Sequence, residues 1–104
     1  MSTIVTLDEM KSHMILDTLD EPEAQKVVDD KIESFIIQAQ AAAEDYCKRL
    51  FTDDDAPEPV RLAIMMYVSH CYEFRDNYDK QSYVSMMTAF KDLLWPHRDV
   101  SKLF

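Results

Sequence analysis

Apolar residues recur along this chain at three- and four-residue spacing, and the stretches between them are polar, acidic or proline-bearing. Such spacing marks helices that each bury one face. It predicts four of them. The first starts at Thr6 and ends near Leu16, with Leu7, Met10 and Met14 on one face. Thr6 and Glu9 have the spacing of a capping box, and Val5 and Met10 occupy the two positions of a hydrophobic staple. Residues 17–23 read as an acidic loop. A long helix follows, beginning either at Pro22, as a first-turn proline, or at Asp30, as a cap with Glu33 at the third position. Its apolar stripe is Val28, Ile32, Phe35, Ile36, Ala39, Ala43, Tyr46 and Leu50, with Lys31, Glu33, Gln38, Gln40 and Glu44 opposite. Glu44–Lys48 and Asp45–Arg49 have the spacing of helical ion pairs. The alanines between Ala39 and Ala43 make a thin face that another helix can approach closely.

Thr52 to Pro59 carries three consecutive aspartates and two prolines and reads as a turn between packed helices. Pro59 is placed to open the third helix, which is expected to run to about Phe74. Apolar residues cover nearly every face of that helix, among them Met65, Met66 and Tyr67. A helix apolar all round is either central or shared with a partner, and a domain this small offers few elements to surround it. Met65, Met66 and Tyr67 are therefore candidate contacts between copies. Arg75 to Gln81 reads as a polar loop. The fourth helix carries the stripe Tyr83, Met86, Met87, Phe90, Leu93 and Leu94 until Pro96 ends it, with Trp95 biased towards an extended shape. Beyond it lies an extended C-terminal tail. Trp95, Pro96, Arg98, Leu103 and Phe104 make that tail a candidate docking element, with folding back over its own subunit as the alternative.

The whole reads as one all-α domain over residues 1–104: a short N-terminal helix, two long central helices and a C-terminal helix. Composition narrows the function. The 104 residues include no glycine, where average usage gives roughly seven. Phosphate-cradling loops, dinucleotide fingerprints and nucleophile elbows all need one. The net charge is −9, and it is uneven: residues 1–58 hold fifteen acidic and five basic side chains, residues 59–104 five and six. Such a chain repels nucleic-acid phosphates, so specific nucleic-acid binding is not expected. Acidic residues cluster at Asp53 to Asp55 and at Glu21 to Glu23. Cys47, Cys71, His13, His70 and His97 show no metal-ligand spacing, and no nucleophile, acid and base converge, so neither metal, cofactor nor catalysis is expected. The start of the chain lacks a signal-peptide pattern and no apolar run could span a bilayer. A cytoplasmic protein with reduced thiols is the expectation.

Four segments, in order, carry a resemblance. Val5 to Met14 is similar to a "VTLEEAKAHL" opening. Asp29-Asp30, Ile32-Glu33 and Ala43-Glu44-Asp45-Tyr46 are similar to "DDxxIExxIxxAxxxAExY". Pro59 to His70, with Tyr72-Glu73 after it, is similar to "PxxVKLAILLLVAHWYENR", and Leu93 to Asp99 to "LLxPYRD". Together they resemble the small head–tail connector, or adaptor, proteins of tailed bacteriophages. The sequence departs from the family at Tyr46-Cys47-Lys48-Arg49, where members often have Tyr-x-Gly-Arg, and in a short loop after Phe74. The resemblance implies a helical subunit that joins copies of itself in a ring below the portal protein at the head–tail junction of the virion. That ring would extend the DNA channel and present a platform to the next connector or tail protein, without catalysis or cofactor. The residues alone leave a second reading, a soluble helical adaptor or regulator that binds one protein partner.

Overall fold

A computed structural model describes residues 3–14, 20–52 and 54–99. It contains α1 (Leu7–Met14), α2 (Pro22–Cys47), α3 (Glu58–Glu73) and α4 (Lys80–Leu94), closed by a 3-10 turn at Trp95–His97. No strand occurs among the described residues. The fold is all-α, as the periodicity predicts. α3 lies at the centre, packed against α2 on one side and α4 on the other, with α1 touching both α2 and α3. The molecule is flat, with extents of 51 × 33 × 18 Å.

Local chemistry sets each helix. At α1 the Glu9 N–H donates to Thr6 Oγ1 (3.1 Å) and the Thr6 N–H to Glu9 Oε1 (3.3 Å), completing the capping box. Val5 and Met10 are both fully buried, as a staple requires. Pro22 is the first residue of α2, so Asp30 lies inside the helix and caps nothing. α2 buries Ile32, Ile36, Ala39, Ala43 and Cys47, and also Gln40, which the pattern had set on the polar face. α1 and its lead-in widen the buried arc on that side: Gln40 Oε1 accepts the Ile4 N–H at 2.8 Å. Lys11 pairs with Asp29 (3.1 Å) and Arg61 with Glu9 (3.7 Å), tying α1 to α2 and α3.

α2 stops at a left-handed residue, Lys48 (φ 59°, ψ 33°), and the Arg49 N–H donates to Glu44 O at 3.3 Å. This is the six-to-one bond of a Schellman ending. The turn carries Leu50 off the predicted stripe and leaves it 75 % exposed. It also prevents both expected ion pairs. Glu44 Oε2 accepts the Phe51 N–H at 2.9 Å, and Arg49 reaches Asp55 at 3.7 Å. α3 opens one residue before Pro59, at Glu58, after an extended Pro57. It buries Val60, Ala63, Ile64, Tyr67 and Val68, so most of its apolar circumference is covered within the subunit. α4 starts at Lys80, inside the expected loop, because Asp79 caps it: Asp79 Oδ1 accepts the Gln81 N–H (3.2 Å) and Oδ2 the Ser82 hydroxyl (2.7 Å).

Just beyond α4, Trp95 is not extended as expected, and residues 100–104 of the expected tail lie outside the described residues. Trp95 is helical (φ −51°, ψ −47°), and the 3-10 turn holds Pro96 in its first positions, where a proline's missing N–H leaves no bond unmade. Arg98 is then extended (φ −70°, ψ 144°). Its Nε donates to Tyr46 O (3.0 Å), and the Asp99 N–H donates to Cys47 O (2.8 Å). These donors satisfy carbonyls that the end of a helix leaves without partners. Residues 95–99 thus fold back over α2 of the same subunit.

Candidate functional site

The residues nominated from sequence divide into four groups. Tyr67 is core: it is 7 % exposed, its ring stands 5.3 Å from that of Phe90, and its hydroxyl accepts from Gln38 Nε2 at 3.1 Å. Burial pushes that hydroxyl above the usual tyrosine range, against a smaller opposing effect of the Gln38 bond. Met65 and Met66 are partly buried and pack against the same core. Arg98 is engaged within its own subunit, its guanidinium 4.7 Å over the Tyr46 ring and 5.2 Å over that of Trp95. Trp95 and Pro96 stay exposed, Trp95 at 61 %. Leu103 and Phe104 lie outside the described residues.

An aromatic groove opens where α3 turns into α4. It holds about 330 Å³ between Phe35 of α2, Tyr67 and His70 of α3, Phe74 just after α3, and Tyr78 and Tyr83, with Lys31 and Arg75 also lining it. The His70 ring lies 4.7 Å from Phe74 and 6.0 Å from Tyr83, and its Nε2 is buried without a hydrogen-bond partner. Cys71 lines the same groove, and burial raises its thiol. Burial likewise raises Cys47, whose Sγ lies 3.8 Å from Leu94 O. Both cysteines are free thiols that stay protonated at neutral pH and are poor nucleophiles. Among the described residues, no three His, Cys, Asp or Glu side chains converge in a way that could hold a metal. No described helix is long and apolar enough to cross a membrane.

What the surface does offer is apolar area in regular arrangement. On α2, Val27, Asp30, Ser34, Ile37 and Ala41 are all exposed and follow one another at three- and four-residue steps, with Val27 at 67 % and Ile37 at 59 %. On α4, Lys80, Val84 and Lys91 are exposed and Met87 half-buried, again at steps of three and four. These stripes are not the buried faces. A search for the dominant stripe of each helix passes over them, and only a second, weaker periodicity on the polar side of α2 and α4 could have signalled them. An arrangement of this kind suits contact between helices, not bond-making chemistry.

Residues 4–98 match one family model, described as the phage gp6-like head-tail connector protein. The match spans α1 to the 3-10 turn and ends at Arg98, where the chain folds onto α2. Comparison with curated proteins and with solved structures finds no significant match.

Proposed function

Because the chain belongs to the phage gp6-like head–tail connector family, we propose that it is a ring subunit seated below the portal, extending the DNA channel and offering a platform to the next connector or tail protein. The coarser part follows from membership itself: the role is structural, within the connector of a phage particle. The observation that supports the finer part is the extent of the match, which takes in every described helix. Its partners in this reading are copies of itself, the portal protein and a downstream connector or tail protein. The negative potential of a −9 chain keeps DNA from adhering as it passes.

The test is to add purified protein to portal-bearing heads that lack a tail and to image the junction by electron microscopy. Ring-shaped density on the outer end of the portal is the expected result. Density elsewhere, or no attachment at all, overturns this reading and leaves that of an adaptor for a single partner.

A further inference from the structure

The exposed stripes of α2 and α4 differ in charge. Around Val27, Ile37 and Ala41 the α2 face carries Glu23, Asp30, Glu33 and Asp45 against Lys26, all exposed, and is net acidic. Around Val84 the α4 face carries Lys80 and Lys91, also exposed, with Asp92 one position further round. Both stripes have the three- and four-residue rhythm by which one helix seats side chains between those of another. Both helices bury their other side chiefly against α3, and where α2 and α4 do meet, with Lys91 Nζ 6.0 Å over the Tyr46 ring, the α2 residue lies off the acidic stripe, so that stripe stays open within the subunit.

We propose that copies of this chain join side by side, the apolar–acidic stripe of α2 in one copy seating against the apolar–basic stripe of α4 in the next. The inference rests on the ring reading and says which surfaces make the ring. Charge selects this pairing. Two α2 stripes face to face bring Asp30 and Glu33 against their own kind, and two α4 stripes do the same with Lys80 and Lys91. The mixed pairing alone sets opposite signs together while covering Ile37 and Val84. Such a contact is head-to-tail: every subunit uses both stripes, and its repetition gives a ring where the rotation between neighbours closes.

Two variants test it, Ile37→Asp and Val84→Asp. Both positions are more than half exposed (59 % and 52 %), and circular dichroism confirms that each variant is folded before association is measured. Sedimentation velocity and native mass spectrometry then follow the wild type, each variant and their mixture, free and with portal-bearing heads. The expected result is a wild type that forms closed oligomers, single variants that lose every species above the monomer, and a mixture that recovers a one-to-one dimer. The dimer arises because each variant keeps the stripe that the other lacks. Oligomers unaffected by either change overturn the α2–α4 pairing and leave the ring reading standing. Self-dimers of one variant also overturn it, since they require a stripe to meet its own kind. A wild type that stays monomeric at all concentrations and on the portal overturns both readings together.

Discussion

The two ends of the helical slab are finished differently. At the C-terminal end of α2 polar groups are closed off within the subunit. Arg98 and Asp99 donate to Tyr46 O and Cys47 O, Glu44 receives the Phe51 N–H, and Asp55 receives the Thr52 N–H at 2.7 Å. At the opposite end, around the α3–α4 turn, rings of Phe74, Tyr78 and Tyr83 line an open groove, Tyr78 is 73 % exposed, and Ser69 Oγ and His70 Nε2 are buried without partners. The first end spends its chemistry on stability, and substitutions there are expected to unfold. The second holds surface that the isolated subunit does not use, and substitutions there are expected to leave the fold alone.

The strongest break in that contrast is Leu94→Ala. Leu94 is fully buried beneath the folded-back segment, and its truncation is expected to destabilise by about 2–5 kcal/mol in urea unfolding. A loss below about 0.5 kcal/mol, the usual range for surface changes, would show that this end is not closed. Gln40→Ala comes next. It leaves the buried Ile4 N–H without an acceptor, which is expected to cost about 1–3 kcal/mol and to expose residues 3–6 to hydrogen exchange. Lys48→Gly runs the other way. Relieving a left-handed lysine is expected to raise stability by up to about 1 kcal/mol, less the extra freedom that glycine gives the unfolded chain.

The open end contributes the two smallest effects. Asp79 lies below the usual carboxylate range, chiefly through the Ser82 hydroxyl, so its contribution is present at neutral pH and lost as pH falls through its folded value. Asp79→Asn should flatten the acid limb of a plot of urea midpoint against pH. Tyr78→Ser should change stability by less than about 0.5 kcal/mol, since its ring packs chiefly against the exposed Tyr83. A large loss there would move the groove into the core and erase the comparison.

Legibility followed the same division between local and long-range causes. The α1 cap could be read because Thr6, Glu9, Val5 and Met10 act within five residues of one another. The stripe through Ile32, Ile36, Ala39 and Ala43 could be read because burial repeats with the helical turn. Gln40 could not, since its burial depends on Ile4, thirty-six positions away. Leu50 was misplaced because periodicity says where a stripe runs and not where a helix stops; Lys48, a residue with a Cβ, gave no sign of the left-handed turn it makes. The surplus of apolar residues on α3 pointed towards copies of the chain, yet α1, α2 and α4 together cover most of it. The exposed stripes went unread because Val27, Ile37 and Val84 each adjoin a residue of the dominant stripe, Val28, Ile36 and Tyr83, and so do not stand out from it.

Lys48 is the single left-handed residue among those described, in a chain of 104 residues without one glycine. The benefit lies in the unfolded ensemble. A residue with a Cβ has fewer backbone states to surrender than glycine, by about 0.4–1 kcal/mol each where the native geometry tolerates it. With the left-handed bend confined to one position among the described residues, the other described turns are built from residues that start nearer to order. The subunit thus gains stability from a narrowed starting point as well as from its contacts.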